Sequence, residues 1–314
     1  MRERYGKLLI LLLVVFFATG SMGYAAAREK TPKEPKQKKE LGYNRLLKSN
    51  DVELKYRRAL EYFNMRKVGR NGKERNPMAN YERCGTLLEQ VQPYFVGTAR
   101  DDSVAYYIAT SLYKSGSFDL SSAYFDQFRR RFPSSVFIED VEYMYALGFY
   151  YSSPDPEFDQ STTMQAIISI NEYLERYPAS RKKESLEEKK QELVQKLHDK
   201  SYMNAKVYYT IGKYKSAVAA LNNAIDKYPE SNHREELMYL VAKSQYLLSK
   251  NSVAHLQLDR YLSMLDDYYN FVSEYPDSKY LKELDKMQEE AKEFIAAHRD
   301  GKTETESEYG IEEK

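Results

Sequence analysis

Ten aromatic side chains have the type and spacing to form a binding surface, because they recur in five copies of the pattern Tyr-x2-Ala-x3-Tyr/Phe. Residues at i, i+3 and i+7 lie on one face of a helix, and the alanine between the rings allows a neighbouring helix to approach closely. A rigid apolar ring with a hydroxyl at its tip suits an extended peptide that carries aromatic side chains. The same rings could instead pack between helices, and the pattern leaves both roles open. This aromatic ladder consists of Tyr56, Phe63, Tyr106, Tyr113, Tyr143, Tyr150, Tyr202, Tyr209, Tyr239 and Tyr246.

Residues suited to other chemistry are few. The four histidines, at 198, 233, 255 and 298, include no His-x3-His pair and no carboxylate at ligand spacing, which argues against a metal site. The sequence also lacks a glycine-rich phosphate loop, a nucleophile elbow and a paired-carboxylate motif. The residues therefore predict a binding protein that is not an enzyme and needs no cofactor or metal.

A second motif recurs along the chain and orders the ladder into repeats. It reads "FPSS" at 132, "YPAS" at 177, "YPES" at 228 and "YPDS" at 275, and Ala109 and Ala205 each lie 24 residues before its proline. Because proline cannot continue a helix, each motif is expected just past the end of a second helix. This frame resembles the tetratricopeptide repeat, a helix-turn-helix of 34 residues. We therefore predict an all-α fold, a tetratricopeptide-like solenoid of five helical hairpins.

The repeats are not evenly spaced. The step from the motif to the next ladder alanine is 13 residues in three cases but 27 from Pro178 to Ala205. Leu186, Leu193 and Leu197 stand among charged residues in the extra segment, which predicts two added heptads on one helix. Three repeats, in 49–180, are therefore expected to be joined by a long helix to two repeats, all within 181–298.

In the first, third and fifth hairpins the distance from the ladder alanine to the recurring motif is longer than 24 residues. This predicts three insertions between the two helices of a hairpin, at 66–78, at 151–162 and around 249–257. The lone cysteine, Cys84, aligns with Ser121, Ala166 and Ala217 of the later repeats. Since small residues at that position allow helices to pack closely, Cys84 is predicted to be a buried packing residue rather than a reactive thiol.

Both ends of the chain differ in composition from the repeats. Residues 1–27 combine basic residues, an apolar run from Leu8 to Ala18 and the sequence Ala25-Ala26-Ala27, which predicts a secretory signal peptide. A retained anchor is the alternative, but the run is shorter than the roughly 20 residues that span a bilayer. Residues 28–48 are expected to be a basic linker and 299–314 a disordered acidic tail. The net charge of +1 argues against binding to nucleic acid.

Three segments point to a family: "YNRLLKS" before the first helix, "SSPDPEFDQS" in the third repeat and "YPDSKYLKE" at the end of the fifth. Together with the export signal and the division of the repeats, they resemble the BamD family of outer membrane protein assembly factors, in the form found in Bacteroidetes. The resemblance implies a non-enzymatic scaffold and substrate receptor at the periplasmic face of the outer membrane. Its implied partners are unfolded outer membrane proteins, a BamA-like barrel protein and other subunits of the β-barrel assembly machinery.

The resemblance also implies roles for the ladder. The first three repeats would receive the C-terminal aromatic signals of unfolded barrel proteins, and the last two would hold the BamA-like protein. The expected peptide-binding groove is then Tyr56, Phe63, Tyr106, Tyr113, Tyr143 and Tyr150. The expected partner-docking residues are Tyr202, Tyr209, Tyr239 and Tyr246.

Two features depart from the family pattern. Family members carry a lipid-modified cysteine at the end of the signal peptide, whereas no cysteine precedes Cys84 here, so the sequence does not support a lipid anchor and membrane contact is expected to be indirect or peripheral. The basic residues within 66–75 are expected to form a solvated loop, with contact to anionic headgroups as the alternative. For the function, the alternative is a tetratricopeptide-repeat adaptor of another periplasmic envelope or cell-wall complex, which would need the same fold and a different partner.

Overall fold

The computed structural model describes residues 42–65 and 77–308, with side chains up to residue 298. This part of the chain contains twelve α-helices and no strand. The helices are α1 (Tyr43–Leu47), α2 (Val52–Asn64), α3 (Met78–Phe95), α4 (Asp101–Lys114), α5 (Phe118–Arg131), α6 (Ile138–Ser152), α7 (Ser161–Arg176), α8 (Lys183–Thr210), α9 (Tyr214–Lys227), α10 (Arg234–Lys250), α11 (Ala254–Glu274) and α12 (Leu281–Glu308).

Ten of these helices form five consecutive hairpins, which begin with α2, α4, α6, α8 and α10. Each first helix carries one copy of the aromatic ladder, and each ladder alanine is buried against the helices beside it. Each hairpin also packs on the next one along the chain. The prediction of an all-α, tetratricopeptide-like solenoid is therefore confirmed.

Local sequence signals explain where the helices begin and end. The turns of the second and fourth hairpins contain Gly116 and Gly212, whose φ angles of 84° and 72° lie in the left-handed region that favours glycine. Helix α5 ends at Arg131, two residues before Pro133, and the other three recurring prolines also fall just past a second helix. Proline and glycine thus end the helices as the sequence indicated.

The serine of the recurring motif joins successive first helices. The hydroxyl of Ser135 accepts a hydrogen bond from the backbone N–H of Phe137 and donates one to Asp102 Oδ2, at 2.8 Å, in the first turn of α4. Ser180 binds Glu139 at 3.0 Å in the same way, and Ser278 binds Glu235 at 2.6 Å. Each carboxylate also lies at the positive end of a helix dipole. The motif therefore links repeats as well as ending a helix.

Small residues allow the helices to approach closely. A Cβ added at Gly148 of α6 would lie 2.5 Å from the Ser122 hydroxyl oxygen on α5, so a larger residue at this crossing would require the Ser122 side chain to move. Cys84 is fully buried, as the sequence predicted, and burial raises the pKa of its thiol to about 11. A thiol with so high a pKa is almost entirely protonated near neutral pH and is a poor nucleophile.

The long helix predicted between the third and fourth repeats is α8, whose 28 residues extend for about 42 Å. Leu186 and Leu193, on the added heptads, pack in one hydrophobic cluster with Ala166 and Ile170 of α7. Ala205, near the other end of α8, packs with residues of α9 and α10 in a different cluster. Because of the two added heptads, α7 packs on the first part of α8 and α9 packs on its last part.

Three segments differ from the sequence-based expectations. The end of the expected linker forms a helix, α1, which packs against the first repeat. Leu46 is fully buried there, and Tyr43 packs edge-on against Tyr62 of α2. The expected insertion around 249–257 is mostly helical, since α10 runs to Lys250 and α11 begins at Ala254. Helix α12 runs to Glu308, into the segment for which the sequence predicts a disordered tail.

Several expectations concern residues outside the described part of the chain. The signal peptide, most of the basic linker and the basic insertion at 66–76 belong to this group. Among the helices that are described, none combines the length and the apolar character required to cross a membrane.

We predict that Asp267 makes stability depend on pH. It is half-buried on α11, on the same face as the fully buried Met264 and Phe271, and burial together with the charge of Asp266 raises its pKa to about 6. The folded state therefore keeps this proton at pH values where the unfolded chain has released it, so stability falls as pH rises from about 4 to 6. Asp267→Asn should raise the free energy of unfolding by about 1–2 kcal/mol at pH 7.5.

Urea denaturation at pH 5.0 and pH 7.5 checks this prediction. The advantage of Asp267→Asn should be larger at the higher pH, while the exposed neighbour Asp266→Asn should show a much smaller gain. An equal gain for Asp267→Asn at both pH values would contradict the role of the carboxylate.

Candidate peptide-binding site

The first aromatic of every ladder copy is covered by the residue that precedes the next first helix. Its ring is stacked on another ring in three repeats and lies under a cation in the other two. The distances to the ring centroid are 5.1 Å for Tyr56 and Arg100, 4.3 Å for Tyr106 and Phe137, 4.6 Å for Tyr143 and Lys182, 4.2 Å for Tyr202 and His233, and 4.1 Å for Tyr239 and Tyr280. We call each of these contacts an inter-repeat clamp.

The clamps give these five rings a packing role between repeats. One face of each ring is occupied by the next repeat, so the rings bind successive hairpins to each other. The four members in the first four repeats are half-buried, and Tyr239 is buried. A ligand could therefore contact only the parts of these side chains that the next repeat leaves exposed.

In the last two repeats three of the four ladder hydroxyls, all except that of Tyr209, are hydrogen-bonded to a lysine–glutamate ion pair. The Tyr239 hydroxyl donates to Glu283 Oε2 at 2.6 Å and accepts from Lys243 Nζ at 2.7 Å, and Lys243 also pairs with Glu283 at 2.8 Å. Lysine four residues after tyrosine, with glutamate from the next first helix, recurs twice more. The other two triads are Tyr202, Lys206 and Glu236, and Tyr246, Lys250 and Glu290.

These triads shift the pKa of their members in opposite directions. Hydrogen bonds from Lys243 and Tyr239 hold the pKa of Glu283 below its ordinary value, and Glu290 is shifted downward in the same way. Burial raises the pKa of Tyr239 to about 12. The hydroxyls are therefore neutral donors and the glutamates are ionised at neutral pH, which strengthens both hydrogen bonds.

The second aromatics of the ladder have different surroundings in different repeats. Phe63 packs on Tyr107 at 4.8 Å, and Tyr246 is buried beside Tyr261. Tyr209 lies 6.3 Å from Tyr214 at the turn of its own hairpin. By contrast, the second aromatics of the second and third repeats, Tyr113 and Tyr150, come together with two rings that the ladder pattern does not include.

These four rings, Tyr113, Phe118, Tyr150 and Tyr151, form what we call the aromatic cluster. Tyr151 is 50% exposed and stacks on Phe118 at 4.9 Å with an angle of 24° between the ring planes. Phe118 lies 5.4 Å from Tyr113, and Tyr151 lies 5.1 Å from Tyr150. The cluster thus presents a continuous aromatic surface, part of it open to solvent.

A carboxylate, Glu192, and a cation, Lys189, both lie beside Tyr150 of the cluster. The hydrogen bond from Tyr150 to Glu192 raises the pKa of that tyrosine to about 12, and burial raises the pKa of Tyr113. Lys189 Nζ lies 5.5 Å from the centroid of the Tyr150 ring. The arrangement can accept an aromatic side chain and an adjacent negative charge.

The structure brings together Tyr113 and Tyr150 of the expected groove, whereas Tyr56, Tyr106 and Tyr143 are engaged in clamps and Phe63 packs in the first repeat. Sequence reasoning missed Phe118 and Tyr151. Phe118 directly follows the glycine turn of its repeat, and Tyr151 directly follows a ladder residue. Aromatic residues next to a predicted turn and at the end of a first helix were the available signal.

Two of the four histidines, His198 and His233, pack against tyrosine rings. His233 stacks on Tyr202 and contacts Asp199 through Nε2 at 2.7 Å, and His198 lies 4.8 Å from the ring of Tyr228, where burial lowers its pKa. Over the residues that the structure describes, no group of three or more histidine, cysteine or carboxylate side chains could hold a metal ion.

Comparisons with known proteins identify relatives of this chain. A family model described as "YfiO: Outer membrane lipoprotein" matches residues 64–210 and 196–305. The chain is 27% identical over 199 residues to the putative outer membrane protein assembly factor BamD of Aquifex aeolicus (strain VF5), a match that covers 63% of this chain and 61% of that protein. It is 23% identical over 103 residues to the outer membrane protein assembly factor BamD of Helicobacter pylori (strain ATCC 700392 / 26695), covering 33% of this chain and 47% of that protein. In both cases the chain spans less than two thirds of the relative's length.

We predict that removal of a triad hydroxyl loosens the last two repeats. Tyr239→Phe removes the hydroxyl that bonds both Lys243 and Glu283. Hydrogen bonds to charged groups contribute a net of about 1.5–3 kcal/mol each to stability. We expect a loss of about 1–2 kcal/mol in urea denaturation. Tyr94→Phe, at an exposed tyrosine of α3, is the matched control and should change stability little. Equal effects of the two substitutions would contradict the role of the triad.

Proposed function

Because the chain belongs to the outer membrane lipoprotein family YfiO, we propose that it is a non-enzymatic scaffold and substrate receptor in outer membrane protein assembly. The names of both relatives describe assembly factors of outer membrane proteins. The observation that carries the receptor role is the partly exposed aromatic cluster, since an aromatic surface beside a cation suits a peptide that ends in an aromatic residue.

The proposed ligand is the C-terminal segment of an unfolded barrel protein. Its last aromatic side chain would stack on Phe118 and Tyr151, and its terminal carboxylate would lie near Lys189. Stacking of this type contributes about 0.5–1.5 kcal/mol beyond the area that is buried. Binding is therefore expected to be weak and reversible, as a receptor that passes its substrate onward requires.

The clamps and triads support a second part of the proposal. Repeats that are held together this firmly can present two surfaces at a constant separation, which a scaffold needs. We propose that the last two repeats dock on a BamA-like barrel protein, with the half-buried Tyr202 and Tyr209 at the edge of the contact. Tyr239 and Tyr246 would support that surface from below, since both are buried.

We propose that the protein lies at the periplasmic face of the outer membrane and that its contact with the membrane is peripheral or made through its partners. Cys84 cannot serve as a lipid attachment site in the folded protein, because its thiol is fully buried within the first repeat.

Peptide binding provides a direct test of the receptor role. The fluorescence anisotropy of a labelled peptide that ends in phenylalanine should reveal binding to the full chain, and a peptide that ends in alanine should bind at least fivefold more weakly. Tyr151→Ala should weaken binding of the phenylalanine peptide by a similar factor. Tyr269→Ala is the matched control, because Tyr151 and Tyr269 are each 50% exposed. The receptor role would be wrong if both substitutions had the same effect.

Affinity purification tests the scaffold role. A tagged full chain, isolated from crosslinked membranes, should carry a BamA-like barrel protein, and depletion of the chain should lower the amounts of outer membrane barrel proteins. Normal barrel proteins together with defects in septation or the cell wall would instead support the adaptor of a different envelope complex.

A further inference from the structure

A cleft of about 510 Å³ lies between α7, α8 and α9, at the junction of the third and fourth repeats. Its origin is the extension of α8. Because α7 packs on the added heptads at Leu186 and Leu193 while α9 packs near Ala205, Leu197 lies between the two contacts and lines the cleft. The cleft is separate from the aromatic cluster and shares no residue with it.

Two matched pairs of polar side chains line the cleft. Lys200 and Asn204 stand one turn apart on α8, and Asn223 and Lys227 stand one turn apart on α9. The two helices form an antiparallel hairpin, in which His198 of α8 contacts Tyr228, the residue that directly follows α9. In this register Lys200 of α8 is opposite Lys227 of α9, and Asn204 of α8 is opposite Asn223 of α9.

The polar groups of these pairs are available to a ligand. Lys200 Nζ donates to the backbone oxygen of Glu157 at 2.7 Å, and Lys227 lies 5.2 Å from the ring centroid of Tyr228. Within the described residues, neither lysine forms an ion pair and neither asparagine amide forms a hydrogen bond. Asp159 is the one carboxylate among the lining residues, and it accepts a hydrogen bond from the backbone N–H of Ser161.

Apolar side chains continue the surface on both sides. Met164 and Tyr208 line the cleft and are 50% and 42% exposed. Three more large hydrophobic residues are exposed: Ile168, one turn beyond Met164 on α7, Val207 on α8, and Ile211, which directly follows α8. Exposed apolar side chains that gather around a cleft commonly mark an interaction site.

We propose that this cleft binds an acidic and apolar segment of a partner protein. Glutamate or aspartate side chains of the segment would pair with Lys200 and Lys227, the two asparagine amides would donate to its carboxylate or backbone oxygens, and its apolar side chains would cover Met164 and Tyr208. Charge complementarity selects this occupant, since two lysines and several amide donors line the cleft against a single carboxylate, Asp159, which of the two lysines interacts with Lys200 alone. A segment of basic residues would be repelled.

Fluorescence anisotropy with synthetic peptides tests the proposal. The probe is a labelled peptide of leucine and glutamate with both ends blocked, compared with the same peptide in which glutamine replaces every glutamate. We expect the glutamate peptide to bind the full chain at least tenfold more tightly, and added salt to weaken its binding. Lys200→Gln combined with Lys227→Gln should remove most of this preference.

The control is Lys190→Gln combined with Lys215→Gln, which removes two lysines from the same helices but outside the cleft. Thermal unfolding of both double variants checks that each remains folded. The glutamine peptide with a free carboxyl end separates side-chain carboxylates from a chain terminus, and tight binding of that peptide would overturn the assignment to side chains. Equal binding by both double variants would overturn the site itself.

The test is independent of the proposed receptor function. Tyr151→Ala should leave binding of the glutamate peptide unchanged, and the Lys200/Lys227 variant should leave binding of the phenylalanine-ended peptide unchanged. If either substitution weakened binding of both peptides, the two sites would not be separate and this proposal would be wrong.

Discussion

The contact between successive hairpins is the interaction on which the rest of this structure depends. A single helical hairpin cannot cover its own apolar face, so each repeat is stable only when the next one packs on it. In this chain the inter-repeat clamps and the motif serines make that contact specific, because a ring and a carboxylate of one first helix meet the residues that lead into the next. The Ser135 hydroxyl and the Phe137 ring, only two residues apart, serve both functions at one junction.

This constraint explains why most of the ten ladder aromatics contact a neighbouring repeat. A tyrosine that stacks on one side and donates a hydrogen bond at its tip holds two elements at a fixed distance and angle. In the last two repeats lysine and glutamate complete the contact around Tyr202, Tyr239 and Tyr246, and the hydroxyls there are fully used. The same residue type therefore has a packing role along most of the solenoid.

Surfaces suited to binding occur where the regular repeat is interrupted. The aromatic cluster forms at the loop ends of the second and third repeats, where the close crossing at Gly148 brings α5 and α6 together and leaves Tyr151 exposed. The cleft forms where two added heptads separate α7 from α9. Regular stacking makes the scaffold rigid, and each departure from it leaves side chains without a neighbouring repeat to cover them.

The sequence by itself determined the helices, the five hairpins, the long α8 and the burial of Cys84, because helix periodicity, proline, glycine and repeat spacing act over short distances along the chain. It did not determine that residues around 249–257 would be mostly helical, or that Leu46 of α1 would be buried. Which ladder rings contact the next repeat depends on tertiary packing. The residue that packs on the first aromatic of each copy lies 31 to 44 positions further along the chain, as with Phe137 on Tyr106 and Arg100 on Tyr56. Periodicity places a side chain on a helix face, but the packing of the next repeat decides whether solvent or a ligand can reach it.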